Sequence, residues 1–171
     1  MIEALGILCK DDSIKNQIKL VIVGKNSTDE VLKSSVAALG LEKIVDFEGW
    51  KDEKLFPSYL KVAAIGISPL HRNIHHDTTY ANKLFQYMSF ALPVLVSEAL
   101  AQKNLIDEVN SGLIHKEKDA IDLADKILTL YKDPVLSKKL GLNGKKFIEE
   151  KFYWEKVSDN LKDLYLEFKK S

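Results

Sequence analysis

Thr78, Thr79, Tyr80, Asn82, Lys83 and Gln86 stand close together, directly after His71, His75, His76 and Asp77. Hydroxyls, amides, one ammonium and several imidazoles in so short a stretch suit a ligand rich in phosphate and hydroxyl oxygens. The surrounding pattern predicts a strand over Ala63–Ser68, a polar loop over Pro69–Thr79, an amphipathic helix from about Thr79 to Ala91 and a strand over Pro93–Ser97. In a parallel sheet with helical crossovers, such a loop lies at the carboxyl end of a strand and runs into a helix N-terminus. Unpaired N–H groups and the helix dipole favour an anion there.

Thr78, Asn82 and Gln86 are four positions apart and would share one stripe of a helix. Such a stripe is often only solvated. Here Asn and Gln replace the Lys and Glu that cover other polar faces, which favours a stripe facing a ligand. Lys83 can reach an anion near the helix start. Asp77, Thr78 and Thr79 are each N-cap candidates. The spacing of His71, His75, His76 and Asp77 matches no closed zinc site. A hydrogen bond from a histidine such as His76 to phosphate or sugar hydroxyls is the better expectation, and no metal is expected. Two other post-strand loops, Gly24-Lys25-Asn26-Ser27 and Glu48-Gly49-Trp50-Lys51, should open onto the same crevice. Lys25 adds a cation there. Gly49 and Trp50 can flank a base, although an aromatic plug at a strand end is an equally good reading of Trp50.

Several chemistries are excluded. No Gly-x-Gly-x-x-Gly follows the first strand candidate, and there is no Gly-x4-Gly-Lys-Ser/Thr phosphate loop. No Gly-x-Ser-x-Gly elbow is present. A phospho-receiver domain would need an acidic cluster and a phosphorylatable aspartate at strand ends. Lysine plus arginine equals aspartate plus glutamate, 25 each, so charge does not point to nucleic acid. The single cysteine, Cys9, cannot form an internal disulfide and fits a reducing compartment. No apolar run approaches the roughly 20 residues that span a bilayer, and Met1–Gly6 does not read as a signal peptide. A cytoplasmic protein is expected.

The elements that must position these groups alternate along the chain. Strands are predicted at Ile18–Val23, Ile44–Phe47, Ala63–Ser68, Pro93–Ser97 and Gly112–His115, and the continuous β-branched residues of the first suggest burial on both faces. Between them lie helical patterns. One carries Val31, Leu32, Val36 and Leu39 and ends near Gly40. A short one spans Leu55–Val62 with Pro57 in its first turn. Another covers Leu100–Val109. From Lys118 onward the pattern is helical: Asp119 caps one run, Asp133-Pro134 opens a second, and Trp154–Phe168 forms a third, with Tyr153 and Trp154 anchoring the tail. The Lys138-Lys139 and Lys145-Lys146 pairs read as solvated faces. The expectation is one α/β domain over 1–171, a Rossmann-like doubly wound parallel sheet with a helical tail from 118. Met1 opens directly onto a helical pattern, Ile2, Leu5 and Leu8, as expected of a domain excised from a longer chain.

The ordered motifs resemble the C-terminal, nucleotide-sugar-binding domain of retaining GT-B glycosyltransferases, of the type found in bacterial polysaccharide biosynthesis. Leu20-Val21-Ile22-Val23-Gly24 resembles the second strand of that domain. Leu39-Gly40-Leu41 with Val45-x-Phe47-x-Gly49 resembles the next helix end and strand. Asn82-Lys83-Leu84-Phe85-Gln86-Tyr87-Met88 followed by Leu92-Pro93-Val94 is the strongest match. Ile106-x-Glu108-x3-Gly112-Leu113-Ile114 and Phe152-Tyr153-Trp154 continue it in order.

The resemblance implies a glycosyltransferase that binds a UDP-, GDP- or similar nucleotide sugar without a metal cofactor. The acceptor would be a glycan or lipid-linked molecule, held by an N-terminal domain outside this chain, as would be the first strand of the present domain. A lipid-linked acceptor implies peripheral association of the full-length enzyme with the inner face of the membrane. Thr78 and Gln86 stand where the family has two glutamates, one on the sugar and one on the ribose. The resemblance then implies Gln86 for the ribose and Thr78 or His76 as the catalytic, sugar-side groups. Backbone N–H groups of Thr79 and Tyr80, with Lys83, would hold phosphate, and Gly49 and Trp50 the base. The alternative is a non-catalytic GT-B-like binding module that has lost the donor-site glutamates.

Overall fold

The β-branched runs fold as short parallel strands, because residues stiff at χ1 pack well on a pleated surface covered from both sides. The computed structural model describes residues 1–153 and 158–168, with the backbone alone at 160. Strand β1 (Leu20–Val23) pairs with β2 (Val45–Gly49). A second ladder runs β3 (Gly66–Ser68), β4 (Val94–Ser97), β5 (Gly112–His115). Every pair is parallel. The five predicted strands are all present, four of them trimmed by one to three residues at their amino ends, and β2 extended to Gly49.

The helices are α1 (Ile2–Leu8), α2 (Asp12–Lys15), α3 (Asp29–Ala38), α4 (Phe56–Val62), α5 (Ile74–Thr78), α6 (Asn82–Ser89), α7 (Leu100–Val109), α8 (Ala120–Lys132), α9 (Pro134–Lys151) and α10 (Asp159–Phe168). Several ends follow from local chemistry. Gly40 takes φ +63° just past α3, as a left-handed helix stop requires. Asp119 accepts the N–H groups of Ile121 and Asp122, and Asp133 that of Leu136, at the starts of α8 and α9. Trp154 lies outside the described residues. The anchoring aromatic is Phe152, stacked on Phe85 with centroids 4.1 Å apart.

β4 shows why the sheet is covered on both faces. Its four residues are all buried. Leu95 joins a core with Leu5, Leu123 and Ile127 of α1 and α8, whereas Val94 and Val96 join Leu84, Met88, Leu105 and Ile106 of α6 and α7. Alternate side chains thus enter different helical layers. α9 crosses α6 closely through Gly141 and Gly144: a Cβ on Gly141 would lie 1.9 Å from Ala91 O, and one on Gly144 2.9 Å from Met88 Cγ.

The fold departs from expectation between the strand at 66 and the strand at 94. The helix expected from about Thr79 to Ala91 starts only at Asn82, as α6, and the expected polar loop before it carries a short helix, α5, with an extended turn at Thr79–Ala81 between the two. No proline or glycine marks the break. Asp77 holds α5 against the start of α7, accepting the Leu100 N–H at 2.9 Å and the Arg72 guanidinium at 3.1 Å. Asp77 is therefore a cap for α7 rather than for the helix that follows it in sequence. Thr78 and Thr79 turn their hydroxyls back onto the carbonyls of Ile74 and His75 and cap nothing. Ala81 stands at the N-cap of α6.

Candidate functional site at the carboxyl ends of the strands

α6 runs antiparallel to the crossover strands, so its first turn lies at the edge where β3 and β4 end. Tyr87 marks its orientation, because its ring covers Gly66 of β3, where a Cβ would meet it at 2.3 Å. Lys83 is one turn nearer that edge. Its side chain is half-buried, and burial pushes the ammonium below the ordinary lysine value. Among the described residues it has no ion pair. The first N–H groups of a helix lack intrahelical acceptors, so those of Asn82 and Lys83 add donors beside the ammonium. Asn82 and Gln86 lie on the exposed side, their side chains without hydrogen bonds among the described residues. This cluster can receive an anion with polar groups next to it.

The break alters the expected phosphate contacts. Thr79 donates its N–H to His75 O at 3.0 Å, and its hydroxyl to the same oxygen at 2.6 Å. It offers neither group to a ligand in this arrangement. Thr78 belongs to α5, so Thr78, Asn82 and Gln86 do not form one helical stripe. Thr78 directs its hydroxyl to Ile74 O at 2.7 Å. Tyr80 is half-exposed, its ring edge-on to Phe85 with centroids 5.8 Å apart. His76 Nδ1 lies 2.6 Å from His71 O and 3.1 Å from Asn73 Nδ2. His71 meets Glu117 at 3.3 Å.

The first two post-strand loops come together as expected. Gly24 N donates to Gly49 O at 2.7 Å, with both glycines at positive φ. A cavity of about 360 Å³ lies there, lined by Lys25, Asn26, Ser27, Asp29, Phe47 and Gly49, among others. The third loop is not part of its lining, because α5 is drawn instead onto α7. Lys25 is exposed with no partner among the described residues. Trp50 is 71% exposed. Its neighbours fix the turn: Glu48 accepts Tyr59 Oη at 2.9 Å and Lys51 Nζ at 2.9 Å. The ammonium beside it and the Tyr59 hydrogen bond hold Glu48 below the usual glutamate range. Trp50 is thus no plug; its indole stands free.

Three residues at this edge escaped sequence reasoning. Asp29 accepts Asn26 N–H through one carboxylate oxygen and leaves the other buried without a partner, at the cavity wall. In sequence it reads only as an acid in a helix's first turn. Gln102 is 1% exposed and bonds Ser68 and Ser97. His115, at the end of β5, is 4% exposed; its Nε2 has no partner among the described residues. Burial lowers its pKa. No local spacing signals either burial.

The model of the family described as glycosyl transferases group 1 matches residues 1–147. Over 80 residues, 47% of this chain, the sequence is 32% identical to an uncharacterised glycosyltransferase of Methanocaldococcus jannaschii, covering 22% of that protein. HepE of Anabaena, solved in complex with UDP, is similar with a TM-score of 0.81 and 16% identity, over 97% of this chain and 44% of that one. WaaG, a glycosyltransferase involved in lipopolysaccharide biosynthesis, gives a TM-score of 0.76 at 19% identity, over 92% of this chain and 41% of that one. The C-terminal domain of LpcC, a group 1 protein of Francisella tularensis, gives 0.71 at 20% identity, over 90% of this chain and 77% of that one. The chain therefore spans less than half the length of HepE and WaaG and about a fifth of the archaeal relative. At these identities the structural likenesses show the fold, one Rossmann-like half of a GT-B architecture. The family's sequence pattern shows more: the chain belongs to the glycosyl transferases group 1 family.

Proposed function

We propose that this chain is the donor-binding half of a longer glycosyltransferase and holds a nucleoside diphosphate sugar at the carboxyl edge of its strands. The observation that carries the reading is Lys83, a half-buried ammonium with no carboxylate partner among the described residues, beside the N–H groups that open α6. That is a site for the diphosphate. Gln86, one turn on, takes the ribose hydroxyls, and Asn82 lies between them. His76 and Thr78 face the sugar side, Thr78 after turning from Ile74 O. Tyr80 N–H adds a phosphate contact; Thr79 adds one only if α5 unwinds by a residue. Lys25, Gly49 and Trp50 border the base. The UDP and UDP-glucose bound in HepE support this class of ligand.

Catalysis by the whole enzyme would rest on positioning the donor and stabilising the leaving diphosphate. The α6 dipole, backbone N–H groups and Lys83 would do this without a metal, and the sugar would keep its anomeric configuration. The acceptor, a glycan or lipid-linked molecule, would be held by a domain outside this chain. The β1–β2 and β3–β4–β5 ladders do not pair with each other. A further strand of the longer protein can join the open edges of β1 and β3. Among the described residues no helix is long and apolar enough to cross a membrane. A cytoplasmic enzyme working at the membrane's inner face fits a lipid-linked acceptor.

Isothermal titration with UDP, GDP and their glucose conjugates, with and without magnesium, tests the reading. Metal-independent binding of one nucleotide, weakened at least tenfold by Gln86→Ala with the fold intact, is the expected result. Unchanged affinity in Gln86→Ala removes the ribose assignment.

A further inference from the structure

An amide side chain sits where an amphipathic helix would ordinarily place leucine. Gln102 is in the first turn of α7, 1% exposed, close to Leu105 and Ile106 in sequence and on the core side. Burying an amide is unfavourable unless its hydrogen bonds are made. Here all are made. Oε1 accepts the Ser68 hydroxyl at 3.0 Å, and Nε2 donates to Ser68 O at 3.1 Å, Ser97 O at 3.2 Å and Ser97 Oγ at 2.7 Å. Ser97 Oγ in turn donates to Leu70 O. Ser68 and Ser97 are the last residues of β3 and β4. Leu70 is the second residue of the loop that leads to α5.

The far end of that loop returns to the same helical turn. Asp77 accepts the Leu100 N–H at 2.9 Å, and Ala99, the N-cap of α7, contributes no side-chain cap of its own. Within one turn, α7 therefore grips residue 70 through Gln102 and Ser97, and residue 77 directly. Between these points lie His71, Arg72 and His76.

We infer that Gln102 is a positioning residue: with Asp77 it makes the first turn of α7 a two-point anchor that sets the place of loop 69–79 against the first turn of α6. Its consequence for ligand binding rests on the donor-site reading above, whereas the anchoring itself does not. A leucine would fill the same volume and leave Ser97 Oγ, which donates to Leu70 O, without the Gln102 amide that orients it.

The test uses the chain as it stands, with Gln102→Met, which keeps volume and loses the hydrogen bonds, and Ser97→Ala, which removes the hydroxyl that links Gln102 to Leu70 O. Amide hydrogen exchange and titration with UDP and UDP-glucose, or with the GDP pair if guanosine is the base that binds, are the readouts. Exchange over 69–79 should rise about tenfold in both variants, the effect of one lost buried hydrogen bond, while α8 and α9 keep their protection. Affinity for the nucleotide sugar should fall more than that for the nucleotide alone. Unchanged exchange over 69–79, or exchange that rises equally throughout as Tm falls, would overturn the anchor. Faster loop exchange with undiminished sugar-nucleotide affinity would sever the anchor from the site. If the unsubstituted chain binds no nucleotide at all, the donor-site reading fails, and exchange alone still decides the anchor.

Discussion

The ammonium of Lys83 is half-buried with no carboxylate partner among the described residues, and burial lowers its pKa. Such a group is unfavourable for the free protein and useful only with an anion beside it. Lys83→Met should therefore raise stability by about 1 kcal/mol, or about 3 °C in Tm, as replacements at functional positions commonly do. The same change should abolish nucleotide binding by titration. A less stable variant, or one with full affinity, would remove Lys83 from the site. His115 gives a second prediction. Burial holds its folded pKa below the ordinary 6.5. Between the two values the unfolded chain binds more protons, so stability falls as pH drops from above 6.5 towards the lowered native value. Urea unfolding at a series of pH values should show this slope, and His115→Gln should flatten it.

At the level of elements, the strands were legible because β-branched runs between glycine, proline and polar turns are specified locally. Even the last, Gly112–His115, has the predicted bounds. The short helix α5 inside the expected loop, and the start of α6 at Asn82 rather than Thr79, were not legible, because no proline or glycine within residues 74–89 marks either. Their placement depends on Asp77 reaching Leu100, 23 positions away. Of the candidate site, Asn82 and Gln86 do share one helix, as their four-residue spacing implies. Gln102 could not be read from spacing, since its partner Ser68 is 34 positions distant. One consequence of packing is open to direct test at the other end of α6. Ala91 holds φ +56° there, a left-handed conformation that an alanine adopts only with strain. Ala91→Gly should stabilise the chain by about 0.5–1 kcal/mol. Gly141→Ala should destabilise it by about 2–3 kcal/mol, because its Cβ would meet Ala91 O at 1.9 Å. Thermal unfolding of both variants separates these signs, and a neutral Gly141→Ala would mean that α9 is free to move off α6.

Across the whole molecule, the two ladders share a core but differ in how deeply they are held. β4 is buried along its full length with a strand on each side, whereas β1 pairs only with β2 and leaves Val21 43% exposed. Leu20 and Ile22 pack on the same cluster as Leu95 and Leu123, yet only partly buried. Local opening follows such differences in burial and pairing. Native-state hydrogen exchange should therefore find Val94–Ser97 exchanging only through global unfolding, and Leu20–Val23 through a smaller opening of lower free energy. The proposed ligand makes a sharper demand, because its base would meet the cavity at Lys25 and Gly49 and its phosphates the start of α6. A nucleotide bound across the ladders must protect β1, β2 and the first turn of α6 together, raising the opening free energy of the weaker ladder by the binding free energy it contributes. Protection confined to the α6 region would place the ligand on one ladder alone. The cavity beside Lys25 would then have no part in holding the donor.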